Sequence, residues 1–291
     1  MSPPEEASQP AAAAPTTSPD DADDLRGFHF RQLLSSKLTW ALILGATIAA
    51  GVAAAVFVSA LVGGGAALGA FLLSLLIAFG IADSRAEDAF FQFYAQQHGL
   101  ELGGRAPLPS STPLLRKGDD RYAERTLAGP IGAGVEGILA LYTYEEESRD
   151  SKGNKETSYY RYTVGLVPVP ECAEFVPELY CQRKFGLRAL EGFEDAFRTK
   201  KERVKLESEV LDQKYEIFAG KNQDPNWLRQ LLAPTFIVWL TESAPPKFAF
   251  ELVGGNLCCY VSGHKKKAAE LEQIGAATAT VAQRLREEAA E

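Results

Sequence analysis

The feature that most constrains this chain is a run from Leu38 to Ala82 that contains no ionisable side chain. Three glycines, Gly63-Gly64-Gly65, divide the run into two segments, Leu38–Val62 and Ala66–Ala82. The first would measure about 37 Å as an α-helix, and the second, with the adjacent glycines, reaches the usual crossing length of about 20 residues. A soluble helix of this length needs a polar face, which neither segment has. The sequence therefore predicts a two-helix transmembrane hairpin over residues 38-62 and 66-82.

The positive charges that flank the two segments predict their orientation. Arg26, Arg31 and Lys37 precede the first segment, Arg85 and Arg105 follow the second, and the connecting glycines carry no charge. Since positive residues accumulate on the cytoplasmic side of a membrane, both termini are predicted to be cytoplasmic. The predicted location is the cell (inner) membrane, as a multi-pass protein with the lipid bilayer as a partner.

Small residues recur at four-residue spacing in both predicted spans, as Ala41, Gly45 and Ala49 and as Gly65 and Gly69. Such stripes let helix backbones approach closely in lipid. We favour closure of the hairpin on itself as their role, and formation of a homo-oligomer is the alternative. The absence of any ionisable group within the spans argues against a proton relay or an ion path.

The net charge of −8 is unevenly distributed along the chain. Residues 1-25 contain six acidic side chains and no Lys or Arg, so the rest of the chain sums to only −2. Without clustered basic residues, no nucleic-acid partner is expected. The same 25 residues are rich in Pro, Ala, Ser and Thr and have too little apolar surface to bury. They are predicted to form a disordered tail.

An amphipathic linker helix is predicted over residues 83-98, directly after the second span. The apolar residues on one of its faces are Ala86, Ala89, Phe90, Phe93 and Tyr94. Gly99 follows as a stop signal. The polar face is acidic and not rich in lysine, which favours packing of the apolar face in a core over contact with lipid. The segment that contains Pro107, Pro109 and Pro113 is interpreted as an extended linker packed on the domain surface.

Residues 117-262 are predicted to form a cytoplasmic α+β domain around an antiparallel sheet. Two β-hairpins are indicated, because alternating apolar residues flank a polar or glycine-rich turn. They are Val135–Glu146 with Glu156–Val167, and Phe248–Leu252 with Leu257–Val261. Further strands are predicted over Arg121–Ala128, Val204–Ser208 and Tyr215–Ala219.

Short helices and a C-terminal helix complete the predicted domain. Asp224 is a capping signal for a helix over Pro225–Leu232, and Phe236–Leu240 is interpreted as a second short helix, with a strand as the alternative. The C-terminal helix covers residues 264-291 and has an apolar seam. The seam consists of Leu271, Ile274, Thr278, Val281 and Leu285. It either packs on its own domain or pairs with another copy, and the sequence leaves both open.

No catalytic, cofactor-binding or metal-ligating residue is assigned from the sequence. The candidates considered are His29, His98, His264, Cys172, Cys181, Cys258 and Cys259. None of the histidines has a Cys or an acidic residue at ligand spacing, and adjacent cysteines on a strand point to opposite faces. One of the two residues Cys258 and Cys259 is therefore expected to be buried and the other partly exposed. The run Lys265-Lys266-Lys267 could touch anionic lipid, although a solvated helix start is favoured.

A loose set of packing and turn motifs lies along residues 90-262. They are Tyr94-Ala95, His98-Gly99-Leu100, Gly118-Asp119-Asp120-Arg121, Leu127-Ala128-Gly129, Tyr142-Thr143-Tyr144, Glu207-Ser208, Tyr215–Ala219, Leu231-Leu232-Ala233-Pro234, Trp239-Leu240 and Phe248–Leu257. In these motifs and in the order of its predicted helices and strands, the chain resembles a bacterial family of two-transmembrane-helix membrane proteins that carry a cytoplasmic domain of unknown function. The resemblance implies a fold and a membrane location, and no activity.

Three functions are compatible with this sequence. We favour a membrane protein whose cytoplasmic α+β domain is an interaction or sensory module that binds a protein partner at the membrane face. The alternative is an oligomeric component of a membrane assembly, formed through the small-residue stripes and the C-terminal seam. An enzyme with an unrecognised site, such as a Cys nucleophile, is less favoured because no base is visible beside a thiol.

Overall fold

The computed structural model describes residues 35–57, 60–149, 153–184, 201–206, 208–221 and 223–290. The tail predicted over residues 1-25 and the candidate His29 lie outside the described residues. Contacts divide the chain into two compact units, Met1–Phe93 and Tyr94–Glu291.

The described part of the first unit consists of helical residues. Helix α1 covers Lys37–Phe57, and helix α2 begins at Ala60 and continues beyond the unit to His98. The sequence predicts the break between the two helices at Gly63-Gly64-Gly65. In the structure the break lies before these glycines, which are part of α2. Residues 83-98, predicted as a separate linker helix, continue the same helix. Each glycine in a helix interior costs only about 1 kcal/mol relative to alanine, so three glycines need not break a helix.

The faces of α1 and α2 that meet are not the predicted small-residue stripes. Ile43 of α1 and Ala78 of α2 are buried, and both line a groove of about 360 Å³ between the two helices. It is lined by Thr39, Leu42, Ile43, Ala46, Ser74, Ile77, Ala78 and Ile81. A methyl group added at Gly45 or Gly69 would meet no atom within 4 Å. The predicted role of the stripes in closing the pair is therefore wrong, because they lie on other faces of their helices.

In the described part of the second unit, nine strands form one antiparallel sheet. They are β1 (Glu101–Gly103), β2 (Asp120–Gly132), β3 (Val135–Arg149), β4 (Lys155–Pro168), β5 (Glu178–Arg183), β6 (Lys201–Arg203), β7 (Tyr215–Gly220), β8 (Ala249–Val253) and β9 (Asn256–Ser262). Their order across the sheet is β1-β2-β3-β4-β9-β8-β5-β7-β6. The predicted α+β class with an antiparallel sheet is confirmed.

Both predicted hairpins form, and their registers follow the alternation of apolar residues. In β3–β4, Tyr142 lies opposite Tyr162, and in β8–β9, Leu252 lies opposite Leu257. The tight turn of β8–β9 contains Gly254 and Gly255, which have φ values of +53° and +75°. Glycine adopts these left-handed conformations without the steric cost that a Cβ atom imposes. The strand predicted over Val204–Ser208 differs, since the observed β6 ends at Arg203.

Short helices connect the strands, and a long helix follows them. They are α3 (Pro113–Arg116), a 3-10 turn (Pro170–Cys172), α4 (Glu209–Lys214), α5 (Pro225–Leu231), α6 (Pro234–Val238), a π-helical turn (Trp239–Ser243) and α7 (Ala268–Ala290). The predicted cap of α5 is confirmed, because the Asp224 side chain accepts a hydrogen bond of 2.8 Å from the N–H of Asn226. The helix predicted from residue 264 begins four residues later, at Ala268.

Helix α7 covers one face of the sheet, which we call the helix face. It packs on β2, β3, β4 and β9, and all five seam residues are buried. A methyl group added at Gly165 of β4 would overlap the side chain of Thr278, so helix and strand are in close contact. The seam is therefore used within its own unit, which decides between the two alternatives that the sequence leaves open.

Candidate functional site

The opposite face of the sheet is covered by residues 106–117, which we call the strap. Ala106 forms a two-way backbone bridge with Ala123 of β2, at N···O distances of 3.1 and 2.8 Å. Thr112 and Leu114 are fully buried. The predicted linker on the domain surface agrees with residues 107–111, which are exposed or half-buried, but not with Thr112 and Pro113, which are buried. Leu114 and Leu115 fill the core between the strap and the sheet, and the partly buried Leu108 packs against it.

The strap has a defined local structure. Pro113 occupies the first turn of α3, where a residue without an N–H is tolerated. The Arg116 guanidinium donates hydrogen bonds of 2.9 Å to the carbonyls of Ser110 and Ser111. Arg121 of β2 in turn donates to the carbonyl of Arg116 at 3.0 Å. These bonds satisfy strap carbonyls that make no ladder bonds, so the segment keeps one shape on the sheet.

Both backbone groups of Leu114 bond to side chains of the sheet. Its N–H donates to Oε2 of Glu251 on β8 at 3.0 Å, and its carbonyl accepts from the Tyr142 hydroxyl on β3 at 3.1 Å. These partners are 137 and 28 residues away in the chain. One strap residue is thus held to two distant strands by a carboxyl and a phenol.

Glu251 is completely buried beneath the strap. In the sheet register it lies opposite Cys258 of β9 and Tyr180 of β5. Burial raises the pKa of this carboxyl to about 7, while the Leu114 N–H, the Thr112 and Tyr260 hydroxyls and Arg116 oppose the rise. A group with this pKa changes its charge near neutral pH, whereas an ordinary glutamate remains ionised there.

Several buried polar atoms around Glu251 make no hydrogen bond to another described protein group. They are Glu251 Oε1, Thr112 Oγ1 and the Tyr260 hydroxyl. These three are among six such atoms in the described part of the chain. Thr112 and Tyr260 lie near enough to the carboxyl to affect its pKa, but neither hydroxyl has hydrogen-bonding geometry toward Oε1. Since native interiors contain few such atoms, their concentration at one place marks this cluster as a candidate functional site.

A layer of tyrosines surrounds the cluster on the strap face. The Tyr144 and Tyr160 rings are stacked with centroids 4.8 Å apart, and the Tyr162 and Tyr260 rings meet edge to face at 6.0 Å. Burial raises the pKa of Tyr162 to about 12 and pushes the pKa of Tyr144 and Tyr260 well above the ordinary value. These phenols remain protonated throughout the physiological range, so the carboxyl of Glu251 is the group in this layer that titrates near neutral pH.

A second polar cluster fixes the chain before α7. His264 Nε2 lies 3.1 Å from the Tyr142 carbonyl and 3.2 Å from Thr143 Oγ1, and its Nδ1 lies 3.6 Å from Glu124 Oε2. Burial lowers the pKa of His264, although the nearby Glu124 carboxylate opposes this effect. Thr143 is completely buried and also contacts Glu124 at 3.2 Å, so the cluster is closed to a substrate. Its geometry suits a structural role.

The other sequence candidates are separate from these clusters or buried in the core. His98 Nε2 lies 3.5 Å from Glu272 of α7, and its ring stacks on Tyr94 with centroids 4.3 Å apart. Cys258 lies in the strap-face core and Cys259 lies near Thr278 on the helix face, as the alternation predicts. The predicted partial exposure of one of these two cysteines is wrong, since both are fully buried.

The thiols are poor nucleophiles in this fold. All four cysteines are free and buried. Burial raises the pKa of Cys172 to about 11 and raises that of Cys181 and Cys259 further. Because the thiolate is the reactive form, such thiols are inert at neutral pH. Among the described residues, no group of three His, Cys, Asp or Glu side chains lies close enough to hold a metal ion.

Glu251 is not among the candidates that the sequence indicated. The available signal is a carboxyl between Phe250 and Leu252, inside a short strand that otherwise consists of apolar residues. A charge at this position is disfavoured unless it is paired or neutralised. The strand pattern alone therefore makes Glu251 a candidate for a perturbed pKa.

No protein-family model, curated protein or solved structure matches this chain. The resemblance to the bacterial two-helix membrane family therefore stays a prediction. A proposal about the function of the chain therefore has to be based on the helices and clusters described above.

Proposed function

We propose that this chain is an integral membrane protein whose α+β unit is an interaction or sensory module at the cytoplasmic face of the inner membrane. The observation that supports this most strongly is α2. Within α2, Gly65–His98 is the one stretch of the described residues that is both long and apolar enough to cross a membrane, and only 11% of its most apolar part is buried. Such exposure of apolar side chains is unfavourable in water and favourable in a bilayer.

The length of α2 supports an anchor that continues into the cytoplasm. Its 34 residues from Gly65 to His98 measure about 50 Å, which exceeds a hydrocarbon core of about 30 Å. The charged residues begin at Asp83, so the apolar part can lie in lipid while the charged part remains in water.

A second span formed by α1 is part of the proposal. Its 21 residues would measure about 31 Å, and Thr39–Ala53 within it form a shorter apolar stretch without an ionisable side chain. A pair of spans joined by a connection of two residues leaves both ends of the pair on the same side. With Arg85 and Arg105 after α2, that side is expected to be the cytoplasm.

The chemistry of the α+β unit favours a module over an enzyme. Glu251 and His264 have pKa values displaced by burial, and each makes contacts within the fold. Glu251 is completely buried and the His264 side chain is 6% exposed, so neither presents a reacting atom to a substrate in this conformation, whereas both can respond to pH. The closed geometry of both clusters is therefore better suited to sensing or binding than to catalysis.

An oligomeric membrane component is the second candidate function. Ala41, Gly45 and Ala49 are exposed on α1, which supports contact with another helix in lipid. The C-terminal seam gives this candidate no support, because its residues are buried against the sheet.

Topology reporters test the anchoring part of the proposal. Alkaline phosphatase and a fluorescent protein would be fused in parallel at the N-terminus, between residues 57 and 60, and after residue 290. We expect fluorescence and no phosphatase activity at both outer positions, and the opposite at the connection between α1 and α2. A cytoplasmic signal at that connection would contradict a two-span protein, and release of the full chain from membranes by alkaline carbonate would contradict anchoring altogether.

A further inference from the structure

The strap and the sheet share a contact that depends on one ionisable group. Leu114 N–H bonds to Glu251 Oε2, and this bond ties the middle of the strap to β8 in the centre of the sheet. The Leu114 carbonyl accepts hydrogen bonds from the Lys117 N–H and from the Tyr142 hydroxyl, which remains protonated because burial raises its pKa. Only the carboxyl can change its charge near neutral pH.

We propose that the strap is a conformational switch that lies closed on the sheet while Glu251 is protonated and loosens when this carboxyl ionises. In the protonated form, Oε2 accepts the hydrogen bond from Leu114 and the carboxyl carries no charge. Oε1 and the Thr112 and Tyr260 hydroxyls near it make no hydrogen bond to another described protein group. Burial of the neutral carboxyl therefore leaves no uncompensated charge beneath the strap.

The ionised carboxyl keeps the hydrogen bond from the Leu114 N–H, but no buried cation among the described residues that face it compensates its charge in the closed strap. The groups that face it are Thr112 and Arg116 of the strap, Tyr142 of β3, Tyr162 of β4, Tyr180 of β5, and Cys258 and Tyr260 of β9. Arg116 is the one cation among them, and its guanidinium is exposed and bonded to two carbonyls. A buried anion without a close, buried cation is costly, and opening the strap gives it water.

The sign of the pH dependence follows from linkage. The closed state holds the proton up to about pH 7, whereas a solvated carboxyl in the open state loses it near the ordinary value of 4.5. Opening is therefore coupled to loss of a proton, and rising pH favours it. Between pH 6 and pH 8, the equilibrium constant for opening should increase about tenfold.

Loosening the strap would uncover the apolar side chains of Leu114 and Leu115 and the tyrosine layer beneath them. This inference deepens the proposed sensory function, on which it rests for the cytoplasmic position of the unit. It names the signal as cytoplasmic pH and the output as a newly exposed aromatic surface. The experiment below measures the strap and not the topology, so the two proposals can fail separately.

Hydrogen exchange of the full chain in lipid nanodiscs tests the switch. Protection of the backbone amides of Thr112 and residues 114–116 would be measured by mass spectrometry at pH 6 and pH 8 and corrected for the intrinsic exchange rates. We expect about tenfold lower protection of the strap at pH 8, with the amides of β8 and β9 little changed. Glu251→Gln should abolish the pH effect, and Glu242→Gln, at an exposed glutamate, should leave it intact.

A second variant covers the case in which Glu251→Gln does not fold. Tyr142→Phe removes the hydroxyl that bonds to Leu114 but keeps the carboxyl, so it should lower strap protection at both pH values and retain the pH difference. Equal strap protection of the wild-type chain at pH 6 and pH 8 would overturn the switch. A pH effect that persists in Glu251→Gln, or one that spreads equally over all strands, would also overturn it.

Discussion

Gly275 of α7 lies directly against the backbone carbonyl of Ile131 in β2, with no space for a side chain between them. Gly132, the next residue of β2, makes a similarly close approach to the backbone of α7. Helix and strand thus meet at their backbones, which is possible only because both positions lack a Cβ atom. This contact fixes how deeply α7 lies on the helix face.

Replacing Gly275 by alanine should therefore destabilise the protein. Alanine gains up to about 1 kcal/mol of helix propensity, but its methyl group would overlap the Ile131 carbonyl, and overpacking costs about 1–3 kcal/mol. We expect a net loss in the free energy of unfolding, measured with denaturant by tryptophan fluorescence. Gly104→Ala is the matched control, since a methyl group there meets no atom within 4 Å. Equal stability of Gly275→Ala and Gly104→Ala would contradict the close approach.

Removal of residues 268–291 should abolish the cooperative unfolding of the α+β unit. The deletion exposes the apolar residues of four strands, and the lost core contacts include Leu271, Ile274 and Leu285. The measurement is thermal unfolding of the full-length and shortened chains in the same detergent. If the shortened chain kept its transition and differed only in oligomeric mass, α7 would be an assembly element.

The contribution of Glu251 to the free energy of unfolding should fall as the pH rises from 4.5 to 7. The folded state keeps this proton up to about pH 7 while the unfolded state loses it near pH 4.5, so the group's contribution falls by roughly 3 kcal/mol across that window. Glu251→Gln should remove this slope and be the more stable form at pH 8. Denaturant titrations at several pH values test it, with Glu242→Gln as the control. An unchanged slope in Glu251→Gln would show that the group titrates normally.

The buried imidazole of His264 should act in the opposite direction. Its pKa is lowered in the folded state, so its contribution is complete above the unfolded value of 6.5 and is lost as the pH falls below that value. His264→Gln keeps a donor for the Tyr142 carbonyl without a titrating group, and it should unfold with a shallower dependence on pH over the acidic side of 6.5. Thermal unfolding over this range is the measurement, and a slope as steep as that of the wild type would contradict it.

All four cysteines should be present as thiols that do not react in the native protein. They are fully buried, and a cytoplasmic domain keeps its thiols reduced. Maleimide labelling of protein quenched directly from cells should count four thiols after denaturation and close to none before it. A count of two or fewer after denaturation would indicate an oxidising compartment and contradict the proposed location.

Local patterns were enough to predict part of this fold. The β8–β9 hairpin follows from Gly254 and Gly255 between two alternating strands, and the start of α5 follows from Asp224 beside Pro225. In each case the determining residues are neighbours in the chain, so the pattern contains the information.

The strap and the candidate site depend on distant contacts. Leu114 bonds to Glu251, 137 residues away, and nothing near Leu114 in the sequence indicates this partner. The three glycines of α2 failed as a signal for a helix end, because each costs a helix only about 1 kcal/mol and the surrounding residues continue the helix through them. The carboxyl of Glu251 was visible as an anomaly in its strand, but its role depends on what covers it.

The position of α7 after the nine described strands has a consequence for biosynthesis. A ribosome completes β2, β3, β4 and β9 before it makes the helix that covers them, so the helix face of the sheet is exposed while translation continues. Partly made sheets with open apolar faces are prone to aggregate. Emergence of α7 is therefore the step that closes the nascent domain, and a delay in translation just before residue 268 would prolong the vulnerable stage.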